Sequence, residues 1–212
     1  MKGKFISLEG GEGSGKTTAI AFIEQWLETQ NIPYLLTREP GGTPLAEEIR
    51  QLVLSPREEK VSDTAELLMM FAARAQHLAE KIQPALNNGI WVISDRFLDS
   101  SYVYQGHARG GDISMLDQLS RWVVGDNLPD ATLLLDVPVE IGQQRVKARQ
   151  YQDRLDKETL AFHQKVRDGF LKRADLEPDR VKVIDASATL PSVKTQIESH
   201  LVQLSHTWSG KQ

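Results

Sequence analysis

The stretch Gly10-Gly11-Glu12-Gly13-Ser14-Gly15-Lys16-Thr17-Thr18 gathers residue types suited to holding a polyphosphate. It fits the pattern G-x-x-x-x-G-K-[ST]. Glycines let backbone N–H groups turn inward and approach phosphate oxygens closely. Lys16 sets a positive charge against β- and γ-phosphates, and the Thr17 hydroxyl is offered to Mg²⁺. A helix beginning near Lys16 would aim the positive end of its dipole at the same anion. The bland alternative is a glycine-rich turn that merely joins a strand to a helix. Both flanks argue against it: Phe5-Ile6-Ser7-Leu8 reads as an apolar strand, and Ile20, Ile23, Trp26 and Leu27 recur behind the loop at helical spacing.

Three further groups of residues could do chemistry. Arg38 sits in Thr37-Arg38-Glu39-Pro40-Gly41-Gly42-Thr43, where proline and two glycines mark a tight turn. At a strand end beside a phosphate loop, that arginine would serve as a second anion clamp. Arg74 falls on the apolar stripe of Leu67, Phe71 and Leu78, where an arginine is costly to bury unless an acceptor meets it. Phe71 with Arg74 offers an aromatic face and a hydrogen-bond donor, as a nucleobase requires; a structural ion pair with Glu47 or Glu48 is the alternative. Asp95-Arg96 ends another apolar run and leads into Ser100-Ser101-Tyr102-Val103-Tyr104-Gln105-Gly106. The aspartate would hold a Mg²⁺-bound water and the arginine would bridge two phosphates. Ser101, Tyr104 and Gln105 span one helical turn and would line a pocket; alternatively the stretch is a polar helix start.

The elements that must position these groups alternate strand and helix. Pro33–Thr37, Trp91–Ser94, Ala131–Asp136 and Val181–Ile184 read as further buried strands. Helices are expected over Leu45–Leu54, from a capping box at Asp63 and Glu66 to about Ile82, from Pro138 to Arg149, and over Lys157–Ala174. A helix-and-loop region spans Leu98–Val124. A last helix turns Val193, Ile197, Leu201 and Leu204 inward, with fraying expected from His206. Apolar strands separated by helices imply a parallel sheet covered on both faces, with the motifs converging on its C-terminal edge.

The 212 residues suffice for one α/β core with a mobile appendage, so a single domain over 1–212 is expected. No cysteine is present, which excludes disulfides and thiolate chemistry and suits an intracellular protein. With 25 Lys+Arg against 29 Asp+Glu the net charge is −4, unlike that of an electrostatic nucleic-acid binder. No apolar run approaches the ~20 residues of a membrane span, and no secretory pattern opens the chain. A cytoplasmic location is expected.

The ordered set LEGGEGSGKTT, TREPGGT, FAARAQH, DRFLDSSYVYQG and the arginine-rich stretch Arg145–Arg154 resembles the bacterial thymidylate kinase family. The phosphate loop alone would indicate only the wider superfamily; TREPGG with DRF…SS…YQG is far more specific. The resemblance implies a P-loop three-layer fold with a five-stranded parallel sheet and a lid at about 142–156. It also implies transfer of the γ-phosphoryl of ATP to dTMP with Mg²⁺, giving dTDP and ADP, usually by a homodimer.

Carried over by position, Arg38 and Arg96 resemble clamps on the acceptor phosphate, with Arg50 beside them. Phe71 is similar to the ring stacked on thymine, Arg74 to the donor on its edge, and Ser101 and Gln105 to further base contacts. Tyr104 resembles the ring under the deoxyribose, Glu12 the carboxylate meeting its 3′-hydroxyl, and Asp95 the acid on the magnesium side. Arg145 resembles the residue lying against adenine. In many relatives the stacking aromatic lies four residues before the arginine, a position that is Met70 here. Some relatives carry an arginine in the phosphate loop where this chain has Gly13; the family's other arrangement sets that charge in the lid, which singles out Arg149 and Arg154. A kinase for another monophosphate fits the phosphate loop and Asp95-Arg96 equally well. A GTP-dependent switch is disfavoured by the lack of Asn-Lys-x-Asp and Asp-x-x-Gly motifs, leaving a catalytically dead ATP-binding scaffold as the reading from another class.

Overall fold

A computed structural model describes residues 2–148 and 158–209. Five parallel strands, β1 (Phe5–Glu9), β2 (Tyr34–Arg38), β3 (Trp91–Asp95), β4 (Ala131–Asp136) and β5 (Val181–Asp185), form one sheet in the order β2-β3-β1-β4-β5. Both faces are covered, because alternate side chains of each strand enter different cores. Ile6, Leu8, Ile93 and Leu133 meet Ile23 and Leu27 of α1 (Lys16–Thr29) and Ile197 and Leu201 of α9 (Leu190–Ser209). Phe5 and Val92 meet Phe71, Leu78 and Leu116 on the opposite face, and Leu134 meets Phe162 and Phe170 there. The expected parallel three-layer architecture is present.

The remaining helices are α2 (Pro44–Leu54), α3 (Asp63–His77), α4 (Gln83–Asn87), α5 (Leu98–Ser101), α6 (Ile113–Val123), α7 (Val139–Lys147) and α8 (Leu160–Leu176). The helix expected to stop at Ile82 instead widens into a π-helical turn, Leu78–Ile82, and runs on through α4 to Asn87. Pro84, which has no N–H to donate, falls where the π-helical turn gives way to α4. Ser62, not Asp63, caps α3 by accepting from Ala65 N–H at 3.2 Å. That leaves Glu66 free to turn inward, where it is buried. A second π-helical segment, Tyr102–Ala108, extends α5. At the C-terminus, fraying from His206 is not what the structure shows: α9 continues to Ser209, and Trp208 meets Trp91 edge to face at 5.8 Å.

Candidate active site

The phosphate loop joins β1 to α1 at the C-terminal edge of the sheet. Gly15 takes φ 95° at the α1 N-cap, and no side chain caps the helix, so its first N–H groups are left for an anion. Gly13 has φ 74°, and a Cβ there would stand 2.1 Å from the Gly142 carbonyl of α7. A Cβ on Gly142 would in turn stand 2.6 Å from the Glu12 carbonyl. The loop and the helix leading toward the lid region therefore interlock backbone to backbone. Lys16 Nζ lies 3.3 Å from the Gly10 carbonyl and 3.5 Å from that of Gly11. Burial lowers its pKa, with Arg96 adding to the effect and Glu12, Asp95 and Glu9 opposing it.

Thr17 and Asp95 line one cavity, and Asp95 Oδ1 is buried without a hydrogen-bond partner among the described residues. An orphaned carboxylate oxygen near a hydroxyl fits a hard divalent cation. No cluster of three or more His, Cys, Asp or Glu exists among the described residues, so phosphate and water would have to complete the coordination. On the far side of the loop, a second cavity of about 230 Å³ is walled by Thr18, Phe22, Ala188 and Val193. Arg145 straps it, donating to the carbonyls of Gly13 at 3.2 Å and Ala186 at 3.3 Å.

The principal cavity, also about 230 Å³, opens from the loop toward α2, α3 and the second π-helical segment. Arg96 lines it and has φ 68°. The Arg96 guanidinium, one of several charges lining the cavity, donates to the Gly10 carbonyl at 3.0 Å, Ser100 Oγ at 3.2 Å and Glu12 Oε1 at 2.6 Å, and it lies over the Tyr104 ring at 5.1 Å. Burial works against its charge, but Tyr104, Glu12, Asp95 and Glu9 around it outweigh burial and raise its pKa. Tyr104 also donates to Glu12 Oε1 at 3.0 Å. Arg50 reaches the Pro40 carbonyl at 2.9 Å on the cavity wall.

At the other end, Gln105 Nε2 donates to Glu66 Oε1 at 2.8 Å. This fixes the amide so that Gln105 Oε1, buried and without a partner among the described residues, is the acceptor left on the cavity wall. Met70, Val53, Leu54 and Pro40 supply apolar surface there.

Several expected contacts lie elsewhere. Phe71 is in the core with Val92 and Phe97, and Met70 holds the cavity wall, because Met70 and Phe71 point to different sides of α3. Arg74 and Ser101 form a buried layer behind the cavity. Arg74 donates to Glu39 Oε2 at 2.7 Å, Ser101 Oγ at 3.0 Å and the Phe97 carbonyl at 3.1 Å. Its ion-pair partner is therefore Glu39, not Glu47 or Glu48. Arg38 does not enter the principal cavity either. Its side chain is 55% exposed and paired with Glu47 at 3.0 Å, because Glu47, also bonded to Gly42 N–H at 2.9 Å, draws it outward. Arg38 lines a separate open groove with Lys81 and Asp95. Arg149 and Arg154 lie outside the described residues, as does the part of the expected lid segment beyond residue 148.

Glu39, Glu66 and His77 were not read from the sequence as parts of the site. Glu39 Oε1 also meets His77 Nδ1 at 3.1 Å, and His77 Nε2 meets Thr37 Oγ1 at 2.7 Å. The available signal was the buried stripe position of Arg74, which demands a nearby carboxylate; TREPGG contained it.

A phosphate loop on a doubly wound parallel sheet, with an orphaned carboxylate and an arginine-lined cavity beside it, defines a P-loop enzyme of phosphoryl transfer. The thymidylate kinase family model matches residues 8–197. Thymidylate kinase of Marinomonas sp. (strain MWYL1) is 75% identical over 210 residues, covering 99% of both chains. That of Chromohalobacter salexigens is 50% identical over 209 residues, covering 98% of this chain and 99% of the relative. The crystal structure of thymidylate kinase from Ehrlichia chaffeensis superposes with a TM-score of 0.75 at 34% identity, covering 95% of this chain and 99% of that one. The chain belongs to the thymidylate kinase family.

Proposed function

We propose that the phosphate loop holds ATP, with its base in the Arg145 cavity, while dTMP occupies the principal cavity with its phosphate at Arg96 and its base at Gln105. The protein is a dTMP kinase, a nucleoside monophosphate kinase. The observation that carries the acceptor assignment is Gln105 Oε1, a buried acceptor with no partner among the described residues. The N3–H of thymine is a donor of the kind it lacks, and a buried acceptor left unmade is expensive. Met70 and Val53 offer apolar contact to the ring and its methyl group.

Phosphoryl transfer is mainly positioning and charge neutralisation. A phosphate monoester has its second pKa near ~6, so the acceptor already carries its nucleophilic oxygen and no general base is needed. Lys16 and the loop N–H groups hold the donor phosphates. Arg96, oriented by Glu12 and Ser100, offsets the charge of the acceptor phosphate, with Arg50 beside it. Glu12 and Tyr104 meet the sugar, the Tyr104 ring leaving no room for a 2′-hydroxyl. Thr17 and Asp95 are the residues that would hold Mg²⁺, which when bound neutralises the transferring phosphoryl oxygens. Arg149 or Arg154, closing with the lid, would supply the remaining charge in the manner of an arginine finger and exclude water.

A homodimer in the cytoplasm is part of this proposal. Exposed Leu52 of α2, Leu68 of α3, and Met115 and Trp122 of α6 provide apolar surface for a second copy. No helix among the described residues is long and apolar enough to cross a membrane. The reaction is tested by incubating the protein with dTMP, Mg²⁺ and ATP carrying a radioactive γ-phosphate. Label in dTDP is expected; label released only as inorganic phosphate would reject the kinase assignment.

A further inference from the structure

Glu9, the last residue of β1, is fully buried and lines neither nucleotide cavity. Its carboxylate is filled by one short segment on the neighbouring strand's exit. Oε1 accepts from Phe97 N–H at 2.8 Å and Ser100 N–H at 3.3 Å, and Oε2 accepts from Ser100 Oγ at 2.7 Å. The same Ser100 hydroxyl accepts from the Arg96 guanidinium at 3.2 Å. Arg96 itself sits at φ 68°, a region that residues with side chains rarely adopt and that persists only where the surroundings over-determine it. Glu9 holds the residue after Arg96, Leu8 O accepts the Arg96 N–H at 2.9 Å, and Ser94 Oγ donates to the Arg96 carbonyl at 2.7 Å.

A carboxylate is an unfavourable way to fill this space. Among the described residues Glu9 forms no ion pair. Lys16 of α1 and Arg96 are the cations near it, and Asp99 of α5 faces it with like charge. Asp99 is itself neutralised by Arg173 at 3.0 Å and Arg180 at 2.7 Å. Burial, and then Asp99, raise the Glu9 carboxyl to about 7 against the opposing pull of Arg96, Ser100 and Phe97. A buried group that disfavours its own charge, retained beside a strained functional residue, points to a task other than stability.

We propose that Glu9 is a positioning residue for the acceptor phosphate: it fixes the Phe97–Ser100 turn and, through the Ser100 hydroxyl, the aim of the Arg96 guanidinium. This rests on Arg96 being the acceptor clamp, as given under Proposed function. Ionised Glu9 accepts the hydrogen bond from the Ser100 hydroxyl and leaves the hydroxyl's lone pairs to Arg96. A glutamine in its place can still accept the two backbone N–H bonds. Its NH₂ then donates to Ser100 Oγ and competes with Arg96 there.

The test uses steady-state kinetics and thermal unfolding of the full chain carrying Glu9→Gln, Ser100→Ala or Arg96→Ala. Loss of one charge-assisted hydrogen bond predicts a fall of about tenfold in kcat/KM for dTMP in Glu9→Gln and Ser100→Ala. KM for ATP should stay within about twofold in both, and the Tm of Glu9→Gln should not fall, whereas Ser100→Ala, which strips Glu9 Oε2 of its donor, should lower the Tm without touching ATP binding. A drop in Tm with equal losses for both nucleotides would make Glu9 merely structural and overturn the inference. Unchanged dTMP kinetics in both variants, with Arg96→Ala impaired, would overturn it while leaving the clamp intact. Unimpaired Arg96→Ala would overturn both readings. Should Glu9→Gln fail to fold, Ser100→Ala decides, because it keeps the Glu9 carboxylate and its backbone bonds.

Discussion

The two halves of the cleft are built from different materials. On the donor side, backbone does the work: glycines at left-handed angles, helix N–H groups, and a loop seated on α7 by the Gly13–Gly142 approach. On the acceptor side, side chains from β1, β2, α3 and the turn after β3 meet as charges and hydrogen bonds, with Arg96, Glu12, Glu39 and Arg74 among them. On the proposed assignment the donor phosphates would be held by shape that sequence-local residues supply, and the acceptor by charges whose positions depend on residues tens of positions apart. Substitutions that add volume should therefore damage the donor side most, and substitutions that remove charge or a polar atom should damage the acceptor side.

Arg96→Ala should show the largest effect: a fall of about 10³-fold in kcat/KM for dTMP, the lower end of what a transition-state arginine supplies, with ATP affinity by calorimetry nearly unchanged. Comparable losses for both nucleotides would erase the distinction. Gly142→Ala probes the donor side by volume alone. Its Cβ would stand 2.6 Å from the Glu12 carbonyl and must displace the phosphate loop. A shift of this kind predicts a fall of about 10²-fold in kcat despite alanine's better helix propensity. A rate equal to the parent's would show that the interlock is not needed.

Tyr104→Phe removes only the hydroxyl that donates to Glu12 at 3.0 Å. It should reduce kcat/KM for dTMP by about fivefold, one ordinary hydrogen bond, with the ATP KM unmoved. The smallest effect is on stability. The Glu9 carboxyl is raised from 4.5 to about 7, so the folded chain keeps this proton longer than the unfolded one. The stability it contributes is fully present at low pH, declines between about 4.5 and 7, and is level above that. The Tm of Glu9→Gln relative to the parent should rise across that window; a flat difference would contradict the assignment.

The donor side was readable in sequence because its geometry is local. Gly10 to Thr18 specify the loop by type and spacing, and the apolar strand and amphipathic helix around it specify the sheet edge. Strand positions followed from the same logic, since runs such as Ala131–Asp136 are buried on both faces. The acceptor side was readable only in part. Arg74 announced a buried acceptor, but whether Glu39, Glu47 or Glu48 met it depends on how α2 and α3 pack. Arg38 reads as a clamp, but its pairing with Glu47, nine residues on, is a contact the sequence does not announce. Met70 and Phe71 are neighbours in sequence, and the rotation of α3 alone decides which faces the cavity. Glu9 carried no signal beyond an acid ending an apolar strand, and nothing in the helix expected from Pro138 marks Gly142 as the residue that meets the phosphate loop.

The measurement that tests the account most directly is a coupled assay of ADP release with ATP and Mg²⁺ across dTMP, dUMP, dCMP, dGMP and no acceptor. Release should depend on dTMP, be weaker with dUMP by the modest margin one methyl group allows, and stay near background otherwise. Release that ignores the acceptor, or that prefers a purine monophosphate, would contradict the acceptor pocket described here.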